Sequence, residues 1–498
     1  MSITGPGSIT AANIQAVNNM NKQLDTLTAE LGSGQAAQTY SGLGSQAGLA
    51  LSLNQQLAAI TAYSNTATTA GTTLTVAQSV LSQLDGSRTS VIQAVGQQGT
   101  FALNGNGQTT TQAAAASQLG EILSLLNTQV GNNYIFSGSA TTTPSVASSD
   151  AVLNGNGAQA GLIQVINERQ QADLGTGSGR LVVGGSGSSV SLADDSATSP
   201  FGFKVASITS NLTGATVTSS SPPSVAVNLG ANPNAGDTIA FGLTLPDGSS
   251  QTITLQATTD SPPGANQFTI GANATATAGN LQTALSGAIA SLAQTALPAA
   301  SAIAAANDFF NSNPPLRVSG TPASSTSLVA GTAANTVFWY TGESGSTPAL
   351  QTALAQVGPT TTIAYGMRAN EQAITSLVAN VAVLAATTYS ASDPNAQTNY
   401  DALSQKVAAN LDGQPGTQQI SDIESDLVNA QTSMSNATNL NTQTQTTLTG
   451  MMQNIDGVNQ NQIGEQILTL QNSLSASLSV TARLAQLSLV NYLAPSSG

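Results

Sequence analysis

Among its 498 residues the chain has no cysteine and no histidine. Without thiols there is no disulfide and no thiolate chemistry. Without imidazole it lacks the commonest metal ligand and the commonest general base. A metal site would have to be built from Asp and Glu, and these are sparse and scattered. Charged residues make up 6% of the chain, against about 25% in an ordinary soluble domain. Nine Lys+Arg stand against 23 Asp+Glu, for a net charge of -14. No basic patch can hold a phosphate backbone, which excludes nucleic acid as a partner. No run of about 18 apolar residues is found, so no membrane insertion is expected. The opening MSITGPGSIT has no basic stretch followed by an apolar one, so no cleaved secretory signal is expected there. Work outside the cell would need another export route.

What fills the gap is Ala, Gly, Ser, Thr, Asn and Gln. Apolar residues still reach 40%, too many for a chain disordered by low hydrophobicity. Their placement near the two ends is the strongest signal. Val17, Met20, Leu24, Leu27 and Leu31 follow steps of three and four, and so do Ile463, Ile467, Leu470, Leu474 and Leu478. Such steps set one apolar seam along a helix. Chain ends are usually frayed and polar, so two seamed ends imply partners. The seams either close on each other within one chain or also pack between chains. A helix lying on a membrane surface needs a Lys/Arg-rich polar face, and only Lys22 and Arg483 serve these two.

Between the ends the pattern runs helices, then mostly strands, then helices. Residues 9–31 read as one amphipathic helix broken by Gly32 and Gly34. A second stretch runs from Ser45 to Gly99 on Leu49, Leu53, Leu57, Ile60, Leu74, Leu81, Leu84, Val91 and Val95. No charge occurs between Glu30 and Asp85, so packing must stabilise that helix. A third is expected from Thr110 to Val130. Asn133 to Gly138 alternates like a strand. Asp237 to Thr244 and Gln251 to Thr258 flank Pro246-Asp247-Gly248, a hairpin signal. Ala-rich helix follows at 275–311. Further helices are expected from Ile363, Met367, Ile374, Leu377, Val381 and Leu384, from Tyr400 to Leu411, and from Ile420 through Val458 into the last seam.

Several blocks resemble the bacterial flagellin family, which includes the hook–filament junction protein. Leu27 to Leu53 (LTAELGSGQAAQTYSGLGSQAGLALSL) looks like the family's helix, Ser-Gly loop and second helix. Gln35 and Tyr40-Ser41 depart from the usual basic residue and Asp pair there. NNYIFSG at 132–138 and YGMRANEQA at 365–373 look more like the junction protein and alphaproteobacterial flagellins. LSVTARLAQLSLVNYL at 478–493 resembles the family's last helix. The match covers roughly residues 10–140 and 360–493.

The resemblance implies a mainly α fold with a β-rich middle insertion. The N- and C-terminal helices would pair as a coiled coil and helical bundle, with outer α+β domains inserted between. The expected parts are a terminal core of 1–44 plus 458–498, a helical-bundle domain with a β-hairpin element of 45–175 plus 355–457, and a variable outer domain of 176–354. It implies a non-enzymatic structural subunit that polymerises into the extracellular flagellar filament for motility. It also implies export through the type III channel, with self, hook-associated and cap proteins and an export chaperone as partners and no cofactor. The ten seam residues would be the self-assembly seam. A secreted adhesin or carbohydrate-binding surface protein using the β-rich middle is the rival from another class.

The remaining motifs have plain readings. The Asn-Gly repeats at 104–107 and 154–157 lack a following Lys-Ser/Thr and read as turns, not phosphate loops. Asp194-Asp195 is too little for a calcium site and reads as a solvated loop. Arg88 pairs locally with Asp85 or makes a lateral subunit contact. Arg368 and Glu371 are expected to pair locally. The Ser and Thr of 139–350 serve solvation or O-glycosylation.

Overall fold

The computed structural model describes residues 6–37, 39–97, 101–220 and 223–492. The first half of the opening MSITGPGSIT, the expected helix end at Gly99 and the final Leu493 of the last block lie outside them. Ten α-helices are found among the described residues: α1 (Pro6–Ser33), α2 (Ala47–Gly96), α3 (Thr110–Leu126), α4 (Ser149–Asn154), α5 (Leu162–Leu174), α6 (Ala274–Phe310), α7 (Gln372–Ala386), α8 (Ala396–Asp412), α9 (Ile420–Asp456) and α10 (Gln460–Tyr492). The fold is mainly helical, with helices at both ends flanking a β-rich middle. It divides into two compact units. The first holds Met1–Thr69, Gln356–Thr362 and Ser433–Gly498, and the second Ala70–Ala355 and Ile363–Thr432.

In the first unit α1 packs along α10. Gly34, at φ +70°, ends α1 where a side chain would be strained. On α2 the inward position near its start is Ala50, fully buried, whereas Leu49 is 56% exposed. The expected stripe is therefore one residue out of phase there, because two adjacent apolar residues compete for one inward place. Leu53 is buried, and Leu57 and Ile60 are half-buried, as the stripe requires. Asn441 on α9 donates to the Val357 carbonyl at 3.0 Å, fastening the 356–362 segment.

The helical part of the second unit is α3 and α5 to α8, packed on one another. Helix α3 opens with a capping box: Thr109 accepts from the Gln112 amide and Gln112 returns a bond to the Thr109 N–H. The Gln112 side-chain amide then reaches the Thr387 carbonyl at 2.8 Å, tying the start of α3 to the end of α7. Two expected helices are shorter than their periodicity. Val130 leaves α3 for a two-residue ladder, Gln129–Val130 with Asn133–Tyr134, turned at Gly131 with φ +63°. Ile363 and Met367 precede α7 rather than joining it. Thr362–Ala364 is a strand, and Tyr365 and Gly366 bond to Ala353 and Leu350, so tertiary pairing overrides the local spacing.

The middle holds two four-stranded sheets. One is ordered Leu181–Gly184, Ser189–Asp194, Ser224–Leu229, Ala215–Ser220. The other is ordered Gln267–Thr269, Ser250–Thr258, Thr238–Thr244, Lys204–Ser210. The expected hairpin forms, with Ile239 opposite Leu255 and Phe241 opposite Ile253. Its turn needs Gly248 at φ +83°. Alternate residues of both sheets share a core with Leu281, Leu285, Ile289, Ala293 and Leu297 of α6. Each such Leu or Ile contributes about 1.5–3 kcal/mol by leaving water. Helix α6 continues through Pro298, and its far end, to Phe309 and Phe310, is buried in the helical part. A proline inside a helix costs about 3 kcal/mol, which this double packing offsets. By length and composition alone α6 could cross a membrane, but here it is the core helix of the unit.

Charge is sparse but is concentrated inside this unit. Arg169, nearly buried, holds Asp173 at 2.9 Å and Asp308 at 2.5 Å. Arg180 holds Asp195 at 2.9 Å and the Ala172 carbonyl at 2.7 Å. Both guanidinium groups lie over the Phe201 ring, at 5.1 and 5.9 Å. Burial pushes the Asp173 and Asp308 carboxyls up, against the opposing pull of Arg169. Asp194 accepts from the Val205 amide at 2.9 Å and faces Lys204 at 3.6 Å. Asp194-Asp195 is thus bound on both carboxylates instead of forming a solvated loop. Lys406 on α8 clamps the hairpin turn, reaching Asp247 and Ser249, each at 2.6 Å.

Candidate assembly surface

The two terminal helices run antiparallel, because the end of α1 meets the start of α10. The Ala36 amide donates to the Asp456 carbonyl at 2.6 Å and the Val458 amide to the Gly34 carbonyl at 3.2 Å. From that closed end the inward positions of α1 are Leu31, Leu27, Leu24, Met20, Val17 and Asn13. Those of α10 are Ile463, Ile467, Leu470, Leu474, Ser477 and Thr481. Both series step four, three, four, three, four, as an antiparallel knobs-into-holes seam requires. Ile463 is buried and the rest are half-buried. Nine of the ten expected seam residues therefore occupy the seam of the pair. Leu478 does not: it is 51% exposed, and Ser477 takes its place. The polar residues Asn13, Ser477 and Thr481 escape a search for hydrophobic spacing. Continuing the four-three step past Leu474 would have found Ser477.

A two-helix seam leaves much apolar surface uncovered. Outside it, Ile14 is 50% exposed, Leu468 63% and Val480 51%, in addition to Leu478. Beside the seam runs a groove of about 800 Å³ between Lys22, Thr26 and Leu27 on one helix and Gln466, Thr469 and Leu470 on the other. No ion pair joins α1 to α10 among the described residues; every ion pair found lies in the second unit. The seam is mainly apolar, closed at one end by backbone hydrogen bonds, and the pair presents more apolar surface outward.

Arg88 is engaged within its own chain. Its Nε bonds Asp85 at 2.8 Å, as the spacing predicts, and its Nη1 bonds the Leu411 carbonyl at 2.9 Å. That carbonyl is one of the last of α8, so a cation at the helix C-terminus is favourably placed. Arg368 departs from its expected pairing. Its guanidinium turns to the Gly345 and Thr347 carbonyls, and Glu371 instead accepts from the Arg368 backbone amide at 3.2 Å. Both Asn-Gly repeats form turns, with Gly107, Gly155 and Gly157 at positive φ. No group of three or more acidic side chains able to hold a metal ion is found among the described residues.

The family model for the bacterial flagellin N-terminal helical region matches residues 8–141, which hold α1, α2 and α3. That match, over about a quarter of the chain, supports a bacterial flagellin family member. No curated protein matches it. Flagellins are structural proteins, not enzymes. At the family level the match supports a structural subunit of the extracellular flagellar filament, which flagellins build by self-assembly. The antiparallel pair is the part of this chain with an unfinished core.

Proposed function

We propose that this flagellin is the major subunit of a swimming filament and that the α1/α10 pair is its polymerising element. The observation that carries this reading is the pair itself: a half-buried seam, apolar residues exposed on its outer sides, and no ion pairs. Exposed apolar surface of this kind marks an interface, and a head-to-tail contact that does not close into a ring gives a helical filament. Residues 1–44 with 458–498 would line the polymer core. Residues 45–175 with 355–457 would surround it, and 176–354 would face outward. Type III export without a cleaved signal, an export chaperone, and hook-associated and cap proteins complete the reading.

Electron microscopy of purified chain, seeded or salted out, tests it by showing long helical polymers. Leu478→Ala should weaken polymerisation while leaving the monomer's helicity unchanged, whereas Leu474→Ala should lower both. Monomers that never polymerise would sink the proposal. A second reading, the hook–filament junction protein, is favoured by NNYIFSG. Immunogold labelling confined to the hook boundary would decide for it.

A further inference from the structure

Two cavities of the second unit adjoin one another. The larger encloses about 350 Å³ and the smaller about 250 Å³, and Asn311 and Gln372 line both. The larger is walled by amides, among them Asn380, Asn410, Gln414 and Gln418. Its one charged lining residue, Arg88, already holds Asp85 and the Leu411 carbonyl. The smaller has no charged side chain among its described lining residues. Phe338 and Tyr340, both half-buried, form its aromatic wall, and the exposed Asn313 and Asn370 stand at its rim. Two of its lining residues carry hydroxyls that are shielded from solvent and without a hydrogen-bond partner: Tyr340 Oη and Thr375 Oγ1, the latter on a residue 3% exposed.

An amide side chain donates and accepts at once, and so does a hydroxyl. The complementary ligand is therefore uncharged and itself both donates and accepts at many points. A charged ligand would find no free countercharge and would lose its hydration. The aromatic wall suits the C–H face of a sugar ring, and the lining amides suit its OH groups. The combined space falls within the range of small-ligand sites, about 300–1,000 Å³. We propose that this groove binds a neutral oligosaccharide of at least two rings, one seated against Phe338 and Tyr340 and the next among the amides around Asn380. The site lies wholly in the second unit and is independent of the polymerisation assigned to α1 and α10.

The test uses the full chain held monomeric at low concentration. Maltose, cellobiose and N,N′-diacetylchitobiose are titrated by calorimetry and saturation-transfer NMR, with an uncharged Asn/Gln-rich peptide as competitor. At least one disaccharide should bind saturably and shift the emission of Trp339, which lines the smaller cavity. Phe338→Ala and Asn370→Ala should each weaken that binding about tenfold or more. Asn370 is exposed, so its variant decides the matter even where Phe338→Ala fails to fold. Absence of binding by all three sugars overturns the proposal. So does undiminished binding in Asn370→Ala, or occupation of the groove by the peptide in preference to the sugars.

Discussion

The α1/α10 pair and the second unit draw on the same limited alphabet and reach opposite states. In the second unit Leu281, Leu285 and Phe241 are buried completely or nearly so, and six of the nine cations find carboxylate partners. In the pair, Ile463 alone of the expected seam residues is buried, and Lys22 and Arg483 take part in no ion pair among the described residues. The second unit has completed its core within one chain. Two helices cannot do so, since each buries only one stripe. A low charge serves the two regions differently. Inside the second unit it leaves few ions to desolvate, and on the pair it leaves the exposed apolar residues with few charges beside them.

The largest break in this contrast comes from charging the seam. Leu24→Asp places a carboxylate between the helices, at a cost of several kcal/mol. It should abolish polymerisation and lower the helical circular-dichroism midpoint, yet leave the Trp339 emission midpoint, which reports the second unit, where it was. Next is Arg169→Met. Removing one partner of a buried ion pair costs about 3–5 kcal/mol, so here the Trp339 midpoint should fall. Its pH dependence has a defined sign. Asp173 and Asp308 already hold protons more tightly when folded than unfolded, because of burial. Loss of Arg169 removes the influence that opposed this and raises both carboxyls further. The variant's deficit should therefore be widest at neutral pH and narrow as pH falls through the folded-state values. Chemical denaturation at a series of pH values measures it.

A smaller effect is expected for Lys406→Ala, which leaves the nearly buried Asp247 without its cation, at about 1–3 kcal/mol. The smallest is Gly34→Ala. No atom lies within 4 Å of the added methyl, so the cost is the backbone's alone, about 1–2 kcal/mol at positive φ. That loss should appear in the helical midpoint and not in Trp339 emission. Coincident shifts of both probes in all four variants would erase the distinction between the regions.

Much of this was legible in the residues. The paired seams, the hairpin around Gly248, the long uncharged α2 and the helix–strand–helix order all follow from spacing and turn chemistry. The misses share a cause: periodicity tells that a face exists, but not which of two neighbours occupies it. Hydrophobicity points to Leu478 over Ser477 and to Leu49 over Ala50, whereas size decides the inward place. In a tight groove a small residue can hold the inward place. Ile363 and Met367 carried helical spacing, but their segment bonds instead to residues 350–353. The Arg88 bond to Leu411 spans 323 positions, and no local pattern announces it. The amide-lined groove was invisible for the same reason, since its walls come from distant segments that only the fold brings together.

Helix α6 has a mechanical consequence. Its first half is embedded in the sheets and its second half in the helical part, so force on the sheets is transmitted along a rod. The proline at 298 is the joint in that rod. The Lys406–Asp247 clamp is a second strut between the same two regions, at the tip of the hairpin. A rod alone would let the sheets swing about the joint, but a rod with a strut resists torsion. The sheets are therefore braced against twisting by this ammonium and carboxylate together with the Arg180 bonds to Asp195 and the Ala172 carbonyl.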